Sequence, residues 1–189
     1  LCVSCKACKR ECPTGVDMSK MKIEISSLRA NKFGLDLRSK LVAFLPYYAP
    51  IASKLALIMN LRDKLPGLAK LSEIFLGFTS KRPLPKWRKD YFKNNELPNN
   101  LNQIKNTIPV ILFVDTFNRY YEPENVRSAI NVLKKAGYYP FIPTLSNSSK
   151  NLCCGRTYLS NGLIDNAKKE MLDILDAFRP YIKQGISVV

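Results

Sequence analysis

The stretch 110–142, VILFVDTFNRYYEPENVRSAINVLKKAGYYPFI, sets the architecture of the second half of the chain. It opens on a continuous apolar run, VILFVD (110–115), the pattern of a strand buried on both faces. Pro123 suits the first position of a helix. In that helix Val126, Ala129, Ile130 and Leu133 form one stripe, and Gly137 supplies the stop. YYPFI (138–142) is then the next strand. Further on, Leu163, Ala167, Met171, Ile174, Leu175 and Phe178 mark a second amphipathic helix, and ISVV (186–189) begins a third strand. Strand, helix, strand, helix, strand predicts a parallel sheet with right-handed crossovers. Ligands of such sheets collect at the carboxyl ends of the strands. The loop leaving 138–142 runs from such an end to an adjacent pair, Cys153 and Cys154.

Upstream the pattern changes. Residues 79–109 are polar, Asn-rich and punctuated by proline, which reads as a connector. Its aromatics Trp87, Tyr91 and Phe92 are placed to pin it to a neighbouring surface; interleaved with Lys and Arg they also fit stacking on single-stranded nucleic acid, the rarer use. Residues 35–78 alternate apolar runs with Lys and Arg between Pro46, Pro50, Pro66 and Gly67, so several short helices are expected, packed on one another or with one face on a partner. Before them Asp17 can cap a helix whose Met18, Met21, Ile25 and Leu28 share a face, with Gly34 ending it.

The 189 residues carry 30 Lys and Arg against 15 Asp and Glu, a formal net charge of +15. The basic residues recur along the whole chain without a dense block. That suits solvated faces better than specific nucleic-acid recognition, and leaves open a peripheral contact with an anionic membrane surface. The most apolar stretch, LVAFLPYYAPIASKLALIMN (41–60), contains Pro46, Pro50 and Lys54 and is rejected as a spanning helix. No Gly-rich phosphate cradle is visible, and with no histidine no general base can be assigned. The chain lacks an initiating Met, opens on a motif and stops in an apolar β-branched run, so it is expected to be a piece of a longer polypeptide, truncated at both ends.

Four of the six cysteines fall within a dozen residues. Cys2, Cys5, Cys8 and Cys12, followed by Pro13, have the spacing C-x₂-C-x₂-C-x₃-C-P of a 4Fe–4S run. Thiolates two residues apart can wrap the chain around one face of a cubane, with backbone N–H groups turned to the sulfurs. A structural zinc would want a second knuckle, and none is present. The intervals are also too short for a disulfide scaffold, which points to a reducing compartment. In such runs the fourth cysteine serves a different cluster, so a second run is expected before Leu1. The pair Cys153 and Cys154 has two readings, metal ligands or small buried apolar residues.

At this point the sequence resembles a known family. LCVSCKACKRECPTGVDMSKMKIE (1–24) looks like the second ferredoxin run of large bacterial FAD-linked oxidases. DTFNRYYEPENVRSAINVLKKAGY (115–138) and CCGRTYLSNGLIDNAKKEMLDIL (153–175) resemble the cysteine-rich CCG domain of the same proteins. That domain also occurs in iron–sulfur subunits of glycolate oxidase, anaerobic glycerol-3-phosphate dehydrogenase and heterodisulfide reductase. Fused members are similar to D-lactate and D-2-hydroxyglutarate dehydrogenases.

The resemblance implies an α+β or α/β chain of four parts. These are a helical ferredoxin-type module (1–34), a basic helical segment (35–78), a linker (79–109) and the first half of a parallel-sheet CCG domain (110–189). It implies 4Fe–4S ligation by Cys2, Cys5, Cys8 and Cys12, with Cys153 and Cys154 matching a CCG motif that serves a further cluster. Asp115, Thr116 and Phe117 match the family's strand end, where Asp115 is either a loop cap or a group close to the metal site. Gly155 allows the tight turn into the next helix.

The expected function is the iron–sulfur electron-transfer portion of a flavin-dependent 2-hydroxyacid oxidoreductase. FAD sits on missing sequence or a partner subunit, the electron acceptor is a quinone or carrier protein, and the location is cytoplasmic or at the cytoplasmic face of the inner membrane. The alternatives are a separate iron–sulfur subunit of one of the complexes named above and, more remotely, a basic zinc module that binds nucleic acid.

Overall fold

The parallel sheet forms, but it is short. A computed structural model describes residues 5, 7–98, 107–145 and 150–189. Strand β1 (Ile108–Ile111) pairs in parallel with β2 (Tyr138–Phe141), Ile108 opposite Tyr138 and Ile111 opposite Phe141. The ladder therefore begins two residues before the apolar run and ends inside it. Leu112 still donates its N–H to the Phe141 carbonyl at 2.9 Å, and side chains go on alternating beyond the last paired residue. Leu112, Val114 and Ile142 enter one core with Phe92, Leu97, Val126 and Ile130. Ile111 and Phe141 enter the other with Leu152, Ala177, Phe178 and Ile186, and Phe113 packs against it. Burial on both faces is why the run shows no polar alternation.

The third strand is corrected. Residues 187–189 lie parallel to β1, with Ile111 N–H donating to the Ser187 carbonyl (2.9 Å) and Phe113 N–H to the Val189 carbonyl (2.7 Å). Pairing amounts to a single bridge, Ile111 to Val188, because only these last residues run alongside.

Helices α7 (Thr116–Tyr120) and α8 (Pro123–Lys135) follow β1, with Pro123 at the predicted first position and Val126 and Ile130 buried. After β2 come α9 (Arg156–Ser160) and α10 (Ile164–Ile182). The inner row of α10 differs from expectation. Ala177 and Phe178 are buried and Ile174 packs on the core, but Met171 and Leu175 face outward and Glu170 lies inside. Residues 170, 174, 177 and 181 follow the helical repeat, and an ion pair makes position 170 tolerable inside.

The first half is helical, as expected: α1 (Ala7–Glu11), α2 (Met18–Phe33), α3 (Leu37–Ala43), α4 (Leu45–Lys54), α5 (Ala56–Met59) and α6 (Leu68–Leu76). Asp17 caps α2 by accepting from Lys20 N–H at 2.9 Å, and Gly34 ends it. None of the described helices is long and apolar enough to cross a membrane.

The faces of these helices were not foreseen, because small residues point in and large ones out. In α2, Met18, Met21, Ile25 and Leu28 are exposed while Ser19 is buried. In α4 and α5, Tyr47, Ile51, Leu55 and Ile58 are exposed while Ala49, Ala52, Ser53 and Ala56 are buried. Small inward residues let backbones come close. At the α9–α10 turn, a Cβ on Gly162 would sit 2.4 Å from the Ser26 carbonyl carbon, so α2 lies directly on that glycine.

The polar stretch after α6 is held down rather than loose. Trp87 exchanges two hydrogen bonds with the Asn60 side chain, at 2.8 and 2.9 Å. Its ring lies against Tyr121 and Tyr48, with centroids 4.7 and 6.0 Å away. Tyr91 packs on Tyr120, and Phe92 is wholly buried. The aromatics in this stretch pack on protein.

Candidate functional site

Of the N-terminal run, Cys2 lies outside the described residues. Cys5 is exposed, and Cys8 and Cys12 are half-buried; all three are free thiols. Cys8 opens the way to Cys12 by one helical turn, its carbonyl accepting the Cys12 N–H at 2.9 Å. The Cys12 sulfur is set among donors. Its Sγ lies 3.0 Å from the Thr14 hydroxyl. That contact and the backbone N–H groups of Val16, Thr14 and Gly15 lower its pKa. Donors converging on a sulfur stabilise thiolate. This all-sulfur set fits a soft, iron–sulfur type of centre. Among the described residues no three Cys, Asp or Glu side chains gather as a ligand group, so Cys5, Cys8 and Cys12 are not brought together around one point.

The pair occupies the turn before α9. Cys153 is buried, Cys154 exposed. The Thr116 hydroxyl, at the start of α7, donates to Cys153 Sγ at 3.5 Å. Gly155 adopts φ +70°, and a Cβ there would meet the Ala167 carbonyl oxygen at 3.0 Å, so the turn presses against α10. The two thiols differ sharply. Hydrogen bonding between them raises the Cys153 pKa strongly, burial adding to it, and Cys153 keeps its proton. The same hydrogen bond, helped by the Arg156 N–H, brings Cys154 down to about 6, against the opposing charge of Asp115. Cys154 is thus the more acidic of the two thiols, its charge stabilised by the hydrogen bond with Cys153. Asp115 itself caps α7, accepting from Phe117 N–H (2.7 Å) and Asn118 N–H (3.2 Å).

Beneath the turn, Glu170 is buried and pairs with Lys150 at 2.6 Å, while Asp173 lies 3.5 Å from the same ammonium. Thr157 donates its hydroxyl to the Ala43 carbonyl at 3.0 Å, and Phe44 meets Tyr158 edge-on at 5.4 Å. These contacts tie the helical half to the cysteine turn.

A narrow cleft opens where β1 and β2 end, with enclosed room for about one water molecule. Leu112 and Phe113 from one strand end and Pro143 and Thr144 from the other line it, together with Arg119 and Lys150. Carboxyl-end placement was predicted from the topology. Its polar residues were not, although a basic residue one helical turn past a buried strand was a visible cue. Arg119 is 2% exposed. Its Nη1 donates to Asn94 Oδ1 (2.7 Å) and to the Phe92 carbonyl (3.3 Å). Asn94 continues to Asn151 (3.1 Å) and Asn151 to the Tyr120 hydroxyl (2.9 Å), a polar path from connector to cysteine loop.

No protein-family model matches the chain, and no solved structure matches it. It is similar to D-2-hydroxyglutarate dehydrogenase of Escherichia coli (strain K12), with 25% identity over 157 residues, 79% of this chain and 15% of the relative. The proteins of the same name from Pantoea ananatis and Haemophilus influenzae are 25% identical over 160 and 149 residues. The chain thus spans about 15% of the length of the curated relatives it matches, and what it is similar to is one stretch of much longer 2-hydroxyacid dehydrogenases.

Proposed function

We propose that this chain is the electron-transfer portion of a flavin-dependent oxidoreductase acting on a 2-hydroxy acid, with D-2-hydroxyglutarate the first substrate to try. The observation that carries this reading is the run Cys2, Cys5, Cys8 and Cys12, with the Cys12 sulfur already facing four hydrogen-bond donors. The names of the relatives supply the substrate class. Oxidising a 2-hydroxy acid to a 2-oxo acid releases two electrons and two protons, and a bound 4Fe–4S centre supplies one-electron steps. The chain's own contribution is to hold thiolates and to stabilise their negative charge through Thr14, Gly15 and Val16. Cys153 and Cys154 are proposed as a second ligand pair, Cys154 the more acidic of the two and Cys153 losing its proton on binding.

The test uses the full-length protein purified without oxygen. Iron and acid-labile sulfide should be present, and Cys5→Ser should lose part of both. Flavin reduction by D-2-hydroxyglutarate should survive in that variant while acceptor reduction falls. Unchanged iron, sulfide and acceptor turnover would refute the reading.

A further inference from the structure

The middle helices turn their large apolar side chains to solvent. On α4 and α5, Tyr47, Ile51, Leu55 and Ile58 recur at helical spacing along one exposed row. Small residues fill the opposite row, where Ala49, Ala52, Ser53 and Ala56 are buried. On α6, Leu71, Ile74 and Phe75 repeat the outward pattern, Ile74 and Phe75 exposed by 74% and 69%. Leu61 and Leu65, between the two rows in sequence, are exposed as well. Large apolar side chains concentrated in water mark an interaction surface.

Charge says what covers it. Residues 37–75 hold six cations, Arg38, Lys40, Lys54, Arg62, Lys64 and Lys70, against two carboxylates. Both carboxylates are engaged. Asp63 pairs with Arg62 and accepts the Leu84 N–H at 2.9 Å, and Glu73 accepts from the Ser80 hydroxyl at 2.6 Å. Lys40, Lys54, Lys64 and Lys70 are exposed and form none of the described ion pairs. Residues 1–4, 6, 99–106 and 146–149 contain no Asp or Glu to pair with them. A second copy docked across a two-fold axis would bring two positive faces together. Nucleic acid would use the lysines but leave Ile51, Ile58 and Ile74 in water. An anionic lipid surface satisfies both: apolar side chains enter the headgroup boundary, and lysine stems lie along them with the ammonium groups at the phosphates. At ten and nine residues, α4 and α6 are too short to cross a bilayer, so the contact lies in the plane of its surface.

We propose that α4, α5 and α6 form a peripheral docking face for an anionic phospholipid surface, with Ile51, Ile58, Ile74 and Phe75 inserted and Lys54, Lys64 and Lys70 at headgroup phosphates. Nothing in this depends on iron–sulfur ligation, so loss of the electron-transfer reading leaves it standing. The test sediments the full-length protein with vesicles of phosphatidylglycerol mixed with phosphatidylcholine, and with vesicles of phosphatidylcholine alone. The protein should follow the mixed vesicles only, and should be released as salt rises. Lys64→Glu combined with Lys70→Glu should weaken binding about tenfold or more. Ile74→Ser combined with Phe75→Ser leaves the charge unchanged and should weaken it comparably; both side chains are exposed, so the unfolding midpoint should stay that of the parent. No sedimentation with the mixed vesicles, equal sedimentation with phosphatidylcholine alone, or unchanged affinity in either folded double variant would overturn the proposal. So would a self-associated protein that the serine variant turns monomeric, which would give the face to a second copy.

Discussion

Replacing Gly162 with alanine tests the claim that a single close approach seats α2 on the second half of the chain. The new Cβ would lie 2.4 Å from the Ser26 carbonyl carbon, 2.5 Å from Ser27 N and 2.6 Å from the Ser26 oxygen, all backbone atoms. Carbon contacts settle near ~3.5–4.0 Å, so α2 has to retreat by roughly 1 Å. Such overpacking costs about 1–3 kcal/mol. The left-handed backbone at φ +80° adds about 1–2 kcal/mol for a residue with a Cβ. The sum, about 2–5 kcal/mol, is a large share of the stability of an ordinary domain.

Gly137→Ala isolates the packing part. It has nearly the same φ, +84°, with nothing within 4 Å of its Cβ position, so it should cost only the backbone part, about 1–2 kcal/mol. Urea unfolding of the two variants gives the difference, expected at about 1–3 kcal/mol. Hydrogen exchange gives the place: in Gly162→Ala protection should fall in 18–33 and stay in 123–135. Equal losses in both variants, or protection lost from α8 before α2, would refute the reasoning.

Two further outcomes are expected. Iodoacetamide at pH 7 should label Cys154 well ahead of Cys153, because a pKa of about 6 makes Cys154 the more acidic thiol. Cys153→Ala removes the hydrogen bond responsible and should move the pH midpoint of Cys154 labelling upward; a midpoint that stays put sinks the assignment of proton donor and acceptor. The second outcome concerns acid. Hydrogen bonding from Arg88 holds Asp90 down to about 2, and Arg127 lowers Glu96. Folded-state values below the unfolded ones mean that these pairs contribute above the ordinary carboxylate range, about 4. That contribution is lost as pH falls from there toward 2. Proteolytic protection of 86–98 should therefore decline over that window, and less steeply in high salt, where these exposed pairs are already screened. Protection that is flat in pH would count against the pairs as what holds the connector.

The candidate site was partly legible before any coordinates. Thiol spacing is a local property, and the Cys12 turn is built from the next four residues, so the run from Cys2 to Cys12 could be read as a donor set. The Cys153–Cys154 turn could be placed at a strand end from topology alone. Which of these thiols holds the proton and which gives it up could not, since it depends on the geometry of their hydrogen bond and on which sulfur the fold buries. Arg119 was missed because its burial and its partners, Asn94 and the Phe92 carbonyl, lie some twenty-five residues away in the connector, and local pattern does not display them.

By itself the sequence determined the start and stop of α2, the first position of α8 and its inward stripe, and a parallel arrangement of the strands at the apolar runs near 110 and 138, all set by short-range periodicity and by capping residues such as Asp17 and Pro123. Tertiary structure decided which way the other faces turn. Met18, Met21, Ile25 and Leu28 make a stripe that periodicity alone would bury, yet α2 approaches Gly162 through Ser26 and Ser27 and leaves the stripe outside. Glu170 took an inner position of α10 that Met171 or Leu175 would have claimed on hydrophobicity, because Lys150 lies opposite it. Periodicity identifies a face, but which face is buried depends on whether a backbone, a counter-charge or a gap waits on the other side, and that is settled by residues far along the chain.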